Sequence, residues 1–329
     1  MSALSDGLEY SLLNHYLRGI SHVPTASLEV GLFTSDPGDF SIIGEVSGGS
    51  YARAAVANNV TSFPPCSITG VPTKANGVTI AFPTATVSWG TVSHWAIFEP
   101  VVNITGASYS VATGATVTVI SSSSITVGMA LVGTGIPVGA YVASITDGTH
   151  IVMSAAATAT GTAFACHRML FHGQLDIARY VAVGDPPKIA VGEMTISLSN
   201  SSGGGLTDFA KRKGLDLTLG AISYPSPTTV YAAAGTALTG EAFSEWVDPG
   251  YTRQSLSFNP PSGGSALNST LVVLNNSVVS NIGPLTALGI FDDASVGNAL
   301  FLGPLGASRS IAIGNSAKLP VGSVSITFN

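Results

Sequence analysis

The chain has 329 residues, 45% of them hydrophobic but only 9% charged, with a formal net charge of −6. That length is a prior for roughly two domains of ~150 residues, with ample apolar material for a core. The 12 Lys and Arg form no basic stripe, which excludes a nucleic-acid binder, and two cysteines, Cys66 and Cys166, exclude a disulfide scaffold or a Cys-based zinc cluster.

The opening segment MSALSDGLEYSLLNHYL has no basic leader region or small-residue cleavage site, so no signal peptide is expected. No apolar run approaches the ~20 residues of a membrane span, so no membrane insertion is expected. Leu8, Leu12, Leu13, Tyr16 and Leu17 fall on one helical face, with Ser5 placed to cap and Gly19 to stop, which predicts a helix from Ser5 to Arg18. Short Val/Ile/Thr/Ala segments broken by Gly, Pro, Asn and Ser follow, starting at SLEVGLFTS (27–35), the pattern of a β-rich protein. EVSGGSYAR (45–53) places Glu45, Tyr51 and Arg53 around a Gly48-Gly49 turn. Tyr51 and Arg53 would share one face of a strand, and a hairpin would return Glu45 to Arg53 as a charge-assisted pair.

NGVTIAF (76–82) and WAIFE (95–99) carry the strands onward. The block 101–167, with ATVTVI and SITVGMALVGTGIPVGAYVASI, alternates strands with Gly-rich turns and reads as a small β-sandwich module at a hairpin tip. LFHGQLDIARYVAVGDPPKIAVGEMTISL (170–198) resumes the first unit, and SNSSGGG (199–205) reads as a linker short enough to keep its two sides packed together. A second helix is predicted from Thr207 to Leu219, with Thr207 as cap and Gly220 as stop, weakened by ~1 kcal/mol at its interior Gly214. The basic run Lys211-Arg212-Lys213 on it reads as a solvated face.

From there the first series recurs in order. TVYAAAGTA (229–237) precedes EWVDPGYTR (245–253), where Glu245, Tyr251 and Arg253 keep the spacing of Glu45, Tyr51 and Arg53. Asn268-Ser-Thr-Leu answers Asn76-Gly-Val-Thr, and Leu288-Gly-Ile-Phe-Asp292 answers Trp95-Ala-Ile-Phe-Glu99. LFLGPLGASRSIAIGNSAKLPVGSVSITF (300–328) aligns without a gap on 170–198, so the chain is an internal duplication. Between Phe98 and Leu170 lie 71 residues, whereas between Phe291 and Leu300 lie 8, so the first copy carries the insertion. The expected architecture is mainly β: two tandem β-sandwich-like domains, each with an N-terminal amphipathic helix, plus the inserted module. Residues 1–100 and 168–200 make the first copy, 101–167 the module, 201–205 the linker and 206–329 the second copy.

No chemistry emerges from the residue patterns. Metal-ligand spacing such as HExxH is absent, His167 and His172 stand five apart with no local carboxylate, and no GxSxG elbow exists. Paired acids would have to come from Glu45, Glu99, Asp176 and Asp185. The second copy keeps acids opposite the first two, Glu245 and Asp292, but has Gly306 and Asn315 opposite the others. Acids shared by both copies read as fold-keeping. No catalytic, cofactor or metal residue is therefore assigned, and Glu45, Tyr51, Arg53, Glu245, Tyr251 and Arg253 are assigned to a structural framework.

In order, LSDGLEYSLLNHYLRG, VGLFTSDPG, EVSGGSYAR, FPTATVSWGTVSHWAIFE, LFHG and VGEMTISL resemble a family of tailed-bacteriophage virion proteins usually labelled phage tail fibre proteins. AAVANNVTSFPP departs from the family's usual Gln-x-Val-x-Phe strand, whereas the second copy keeps Gln254 and Phe258. The inserted block is similar to small Ig-like β-sandwich modules of phage structural proteins. The resemblance implies a virion component with no catalytic residue and no cofactor. Its implied partners are other virion proteins, copies of itself (a trimer would present six similar units to a sixfold tail) and a host-surface glycan or receptor. A tail-fibre or tail-tip place is expected first, a capsid decoration protein second, and a glycan-cleaving tail enzyme last. The sparse charge fits a surface covered by neighbours, since soluble domains average ~25% charged residues.

Overall fold

The computed structural model describes residues 2–198, 205–248, 250–274 and 281–328. Most of the expected linker therefore lies outside the described residues, as does Pro249 of the second turn. Two α-helices form among the described residues, and neither is long and apolar enough to cross a membrane.

Helix α1, Asp6–Arg18, begins where the Ser5 hydroxyl accepts from Leu8 N at 3.3 Å, with Asp6 and Glu9 in the first turn and His15 and Arg18 in the last. The same hydroxyl donates to Met169 O at 2.5 Å, fastening the cap to the sheet. Helix α2, Asp208–Thr218, repeats both contacts: Thr207 Oγ1 accepts from Ala210 N at 3.2 Å and donates to Ala299 O at 2.6 Å.

Behind α1 lies an antiparallel sheet in the order Ser2–Leu4, Met169–Val181, Gly90–Phe98, Ser27–Phe33, Ala54–Ala57. Behind α2 the order is Gly205–Leu206, Ala299–Ile311, Ile282–Phe291, Val230–Thr239, Ala242–Glu245, with Gln254–Leu256 also on Val230–Thr239. Two short ladders accompany each sheet. Thr73–Ala75 pairs with Thr195–Ser197 and Ile80–Ala81 with Lys188–Ile189. Their counterparts are Ser265–Leu267 with Ser325–Thr327, and Val272–Val273 with Lys318–Leu319. The architecture is thus mainly β and tandemly repeated.

A buried asparagine pins each ladder pair. Asn76 Nδ2 donates to Val78 O and Ala190 O while its Oδ1 accepts from Met194 N; Asn268 does the same with Thr270 O, Pro320 O and Val324 N. Such a residue replaces strand hydrogen bonds where the chain turns away, with its own buried amide fully used.

The two copies share one continuous core, to which Leu12, Tyr16, Phe63 and Trp95 contribute from the first and Leu215, Val230, Ile290 and Phe301 from the second. The helices meet inside it, with Tyr16 Oη donating to Ala210 O at 2.7 Å. Asn58 crosses the same boundary, giving Nδ2 to Thr218 O and accepting from Gly220 N.

The inserted block forms a separate strand path in the order Val142–Asp147, His150–Met153, Thr116–Thr118, Val102–Tyr109, Gly161–His167, Ala130–Val132. It folds around its own cluster, including Tyr109, Val117, Ile151, Phe164 and Cys166. Its two connectors leave and rejoin the sheet between Phe98 and Met169, which are register partners. In the second copy the equivalent place between Phe291 and Ala299 is a short loop, 292–298. Phe40 stacks on Tyr141 of this block, ring centroids 4.1 Å apart.

Candidate functional site

The three residues singled out in EVSGGSYAR come together. Arg53 Nε and Nη2 each donate at 2.7 Å to the two oxygens of Glu45, a bidentate pair, while the guanidinium carbon lies 3.6 Å over the Phe98 ring. Tyr51 Oη donates to Glu45 Oε1 at 3.0 Å and accepts from Leu32 N at 2.9 Å. Burial first, and the Glu45 carboxylate next, push the Tyr51 phenol well above its ordinary pKa, so it remains a donor. A second carboxylate, Glu29, stands 3.5 Å from Arg53 Nη1.

The backbone that achieves this differs from a hairpin. Residues 51–53 are not strand, and Glu45 does not pair with Arg53 through the main chain. Both arms instead lie along Ser27–Phe33: Glu45 bridges Phe33, and Ala54–Ala57 pairs with Ser27–Val30. The intervening turn tucks Gly49 (φ +53°) against Val87, where a Cβ would come within 2.0 Å of Val87 Cγ2. Only glycine fits that approach.

EWVDPGYTR builds the same arrangement. Arg253 Nε and Nη2 donate to Glu245 at 2.9 and 2.8 Å, its guanidinium lies 3.6 Å over Phe291, and Tyr251 Oη donates to Glu245 at 2.9 Å while accepting from Ala234 N. Arg253 Nη1 adds bonds to Asp293 O and Val296 O.

A scan against protein families matches the chain to the family described as Podophage GP4 fiber I protein gp80, over residues 3–126 and again over 205–327. The chain belongs to that family. A search of curated proteins finds no match. Each match to the podophage fibre family takes in one helix and one Glu–Tyr–Arg cluster, and the first runs on past Glu99 into the inserted block.

Within this fibre-family scaffold the remaining candidate acids are dispersed into separate roles. Glu99 Oε1 accepts from Arg168 Nη1 at 2.9 Å, both residues buried, and Arg168 also donates to Ser11 Oγ. This pair joins the two connectors of the inserted block, reinforced by Glu99 N donating to Arg168 O. Asp292, the counterpart of Glu99, closes its short loop by accepting from Asn298 N and also accepts from Tyr224 Oη. Asp185 accepts from Ala182 N in a turn, and Asp176 lies exposed on a bulged strand. Arg168, Asn76 and Asn268 were not singled out from sequence. The asparagines open matched segments of the repeat, a signal that could have found them, whereas Arg168 has no such marker.

The histidines do not converge, and no group of three or more His, Cys, Asp or Glu among the described residues is arranged to hold a metal. His172 faces Asp36 and Asp39, each at 3.2 Å, while burial lowers His167 to about 4. Cys66 and Cys166 are both buried and free.

One expectation needs correction. Lys211-Arg212-Lys213 is not a solvated face: Lys211 is buried against Asp208, and Arg212 reaches across to Ser67 O and Gly70 O of the first copy. On an isolated helix the basic run would face solvent, but this helix packs against the first copy.

Proposed function

We propose that the chain is a non-enzymatic structural component of a podophage fibre, working in the virion through contacts with other virion proteins and with copies of itself. The observation that carries this reading is the double match to a fibre family over two units with the same Glu–Tyr–Arg cluster. Of the candidate acids, Glu45 is engaged with Arg53 and Glu99 with Arg168, and the repeated Glu245 is engaged with Arg253.

Immunogold labelling of intact particles tests the location. Label on tail fibres is the expected result; label distributed over the head would replace this reading with capsid decoration. Native mass spectrometry of the purified chain tests self-association, with a trimer expected. Turnover of host polysaccharide by the pure protein would overturn the non-enzymatic assignment.

A further inference from the structure

The closing segment of each copy builds the same cleft twice. In the first copy, Met169–Val181 shifts register against Gly90–Phe98 between Gln174 and Arg179. The bulged stretch and the Lys188–Ile189 ladder enclose a cleft of about 510 Å³. In the second copy, Ala299–Ile311 and Lys318–Leu319 line one of about 800 Å³. Leu175 and Leu305, Arg179 and Arg309, and Lys188 and Lys318 occupy matching places in the two. Clefts of this size hold small ligands.

The duplication therefore supplies its own control. At four lining positions the first copy has Asp176, Tyr180, Asp185 and Glu193, where the second has Gly306, Ser310, Asn315 and Ser323. The second copy forms its cleft without those groups, so the fold does not require them. Three of them are also held in place. Tyr180 is 66% exposed, yet its hydroxyl is tied to Ser88 Oγ at 3.0 Å, which presents the ring to solvent. Asp185 and Glu193 each accept one turn N–H at 2.8 Å, from Ala182 and Ala190. The other oxygen of each carboxylate makes no hydrogen bond among the described residues.

We propose that the first-copy cleft binds a neutral saccharide. Anchored carboxylate oxygens accept from sugar hydroxyls, and Arg179 and Lys188 donate to sugar oxygens. The fixed Tyr180 ring, with Leu175 and Ile177 lining the same cleft, offers an apolar platform for the C–H face of a pyranose. Three carboxylates against two cations leave an excess of negative charge, which disfavours phosphates and acidic sugars.

The test uses the purified full-length chain on an array of neutral, amino and acidic oligosaccharides. The tightest neutral binder is then titrated by calorimetry against Tyr180→Ser, Asp176→Gly and Asp185→Asn, the residues the second copy carries. Each substitution is expected to weaken binding about tenfold, with an unchanged melting curve and no effect from Arg309→Gln in the second copy. Failure to bind any neutral saccharide, preference for acidic ones, or undiminished affinity in the Tyr180→Ser and Asp185→Asn proteins overturns the proposal. The proposal rests on the fibre reading and gives its implied host-surface glycan a place in the fold. Because the assay is on the isolated chain, its failure says nothing about location in the particle, and mislabelled particles say nothing about this cleft.

Discussion

Lys74 of the first copy places its ammonium 2.5 Å from Asp216 Oδ1 of the second, with the lysine side chain 0% exposed. The same oxygen accepts from Cys66 N at 2.9 Å. A charge this deep is stable only while its partner is present, because the desolvation cost remains when the attraction is removed. Asp216→Ala should therefore destabilise the chain by about 3–5 kcal/mol. Lys74→Met should cost much less, and the combined Lys74→Met/Asp216→Ala protein should recover most of the single Asp216 loss. Denaturant melts of the three variants check this; additive losses would remove the ion pair as the link between copies.

Gly214 in α2 would be replaced by Ala at a gain of ~1 kcal/mol if helix propensity alone decided. The packing points the other way. A Cβ there would lie 2.9 Å from Tyr16 Oη and 3.5 Å from Leu12 Cδ1, and Tyr16 is fully buried with its hydroxyl held by Ala210 O. Gly214→Ala should destabilise by about 1–3 kcal/mol, as overpacking does. In a Tyr16→Phe background, where the obstructing oxygen is gone, the penalty should shrink, and a double-mutant cycle reads that coupling directly.

That glycine shows where sequence reading stops. The caps Ser5 and Thr207, the strand SLEVGLF and the repeat are all carried by neighbours within a few positions or by in-order matches. Gly214 registered as a weakness because its reason, the Tyr16 hydroxyl, lies on another helix 198 positions away. Arg212 is hidden from sequence by the same cause, its acceptors Ser67 O and Gly70 O lying in the other copy. For Glu45, Tyr51 and Arg53 the grouping was legible from the repeated spacing, but the backbone route was not. The strand Ser27–Phe33 that aligns both arms lies outside the motif itself.

The two Glu–Arg clusters are expected to differ in how much each glutamate contributes. Among the described residues, removing Glu45 leaves Arg53, 9% exposed, with the more distant Glu29 as its ion-pair partner, and Arg53 Nη1 already lacks a hydrogen-bond partner. Arg253 retains Asp293 O and Val296 O, and Glu245 is the more exposed of the two glutamates. Glu45→Ala should cost about 3–5 kcal/mol, in the range for breaking a buried pair, and Glu245→Ala clearly less. Equal losses in thermal or denaturant melts would refute the asymmetry.

Burial, together with the nearby Asp216 charge, pushes the Cys66 thiol up to about 12, and burial alone does the same for Cys166. Thiolate is the reactive form, so both cysteines should resist alkylation in the folded chain and react once it is unfolded. Mass spectrometry after iodoacetamide treatment, with and without denaturant, should show zero and two adducts on the two cysteines. The melting temperature should not respond to reductant.

The pH dependence should be set on its two sides by different groups. Glu9, half-buried and facing Asp6 on its own helix and Asp39 from the SDPG loop, is raised from 4.5 to about 8, chiefly by burial and then by those two charges. The backbone of Gly264 from the second copy closes over it, since a Cβ there would come within 2.7 Å of Glu9 Oε2. With the folded value above the unfolded one, the folded state holds the extra proton. The associated stability is complete below pH 4.5 and is lost as pH climbs through about 8. His22 and His167 run the opposite way, lowered mainly by burial from 6.5 to about 3 and about 4. Their contribution is present above pH 6.5 and is lost as pH falls through those values. Stability should therefore peak in mildly acidic solution. Glu9→Gln should flatten the alkaline limb selectively, raising the melting temperature near about pH 8.5 relative to the parent while leaving the acid limb in place. Scanning calorimetry from about pH 4 to 9 decides it: parallel curves for parent and Glu9→Gln across the alkaline range would remove Glu9 as the titrating group.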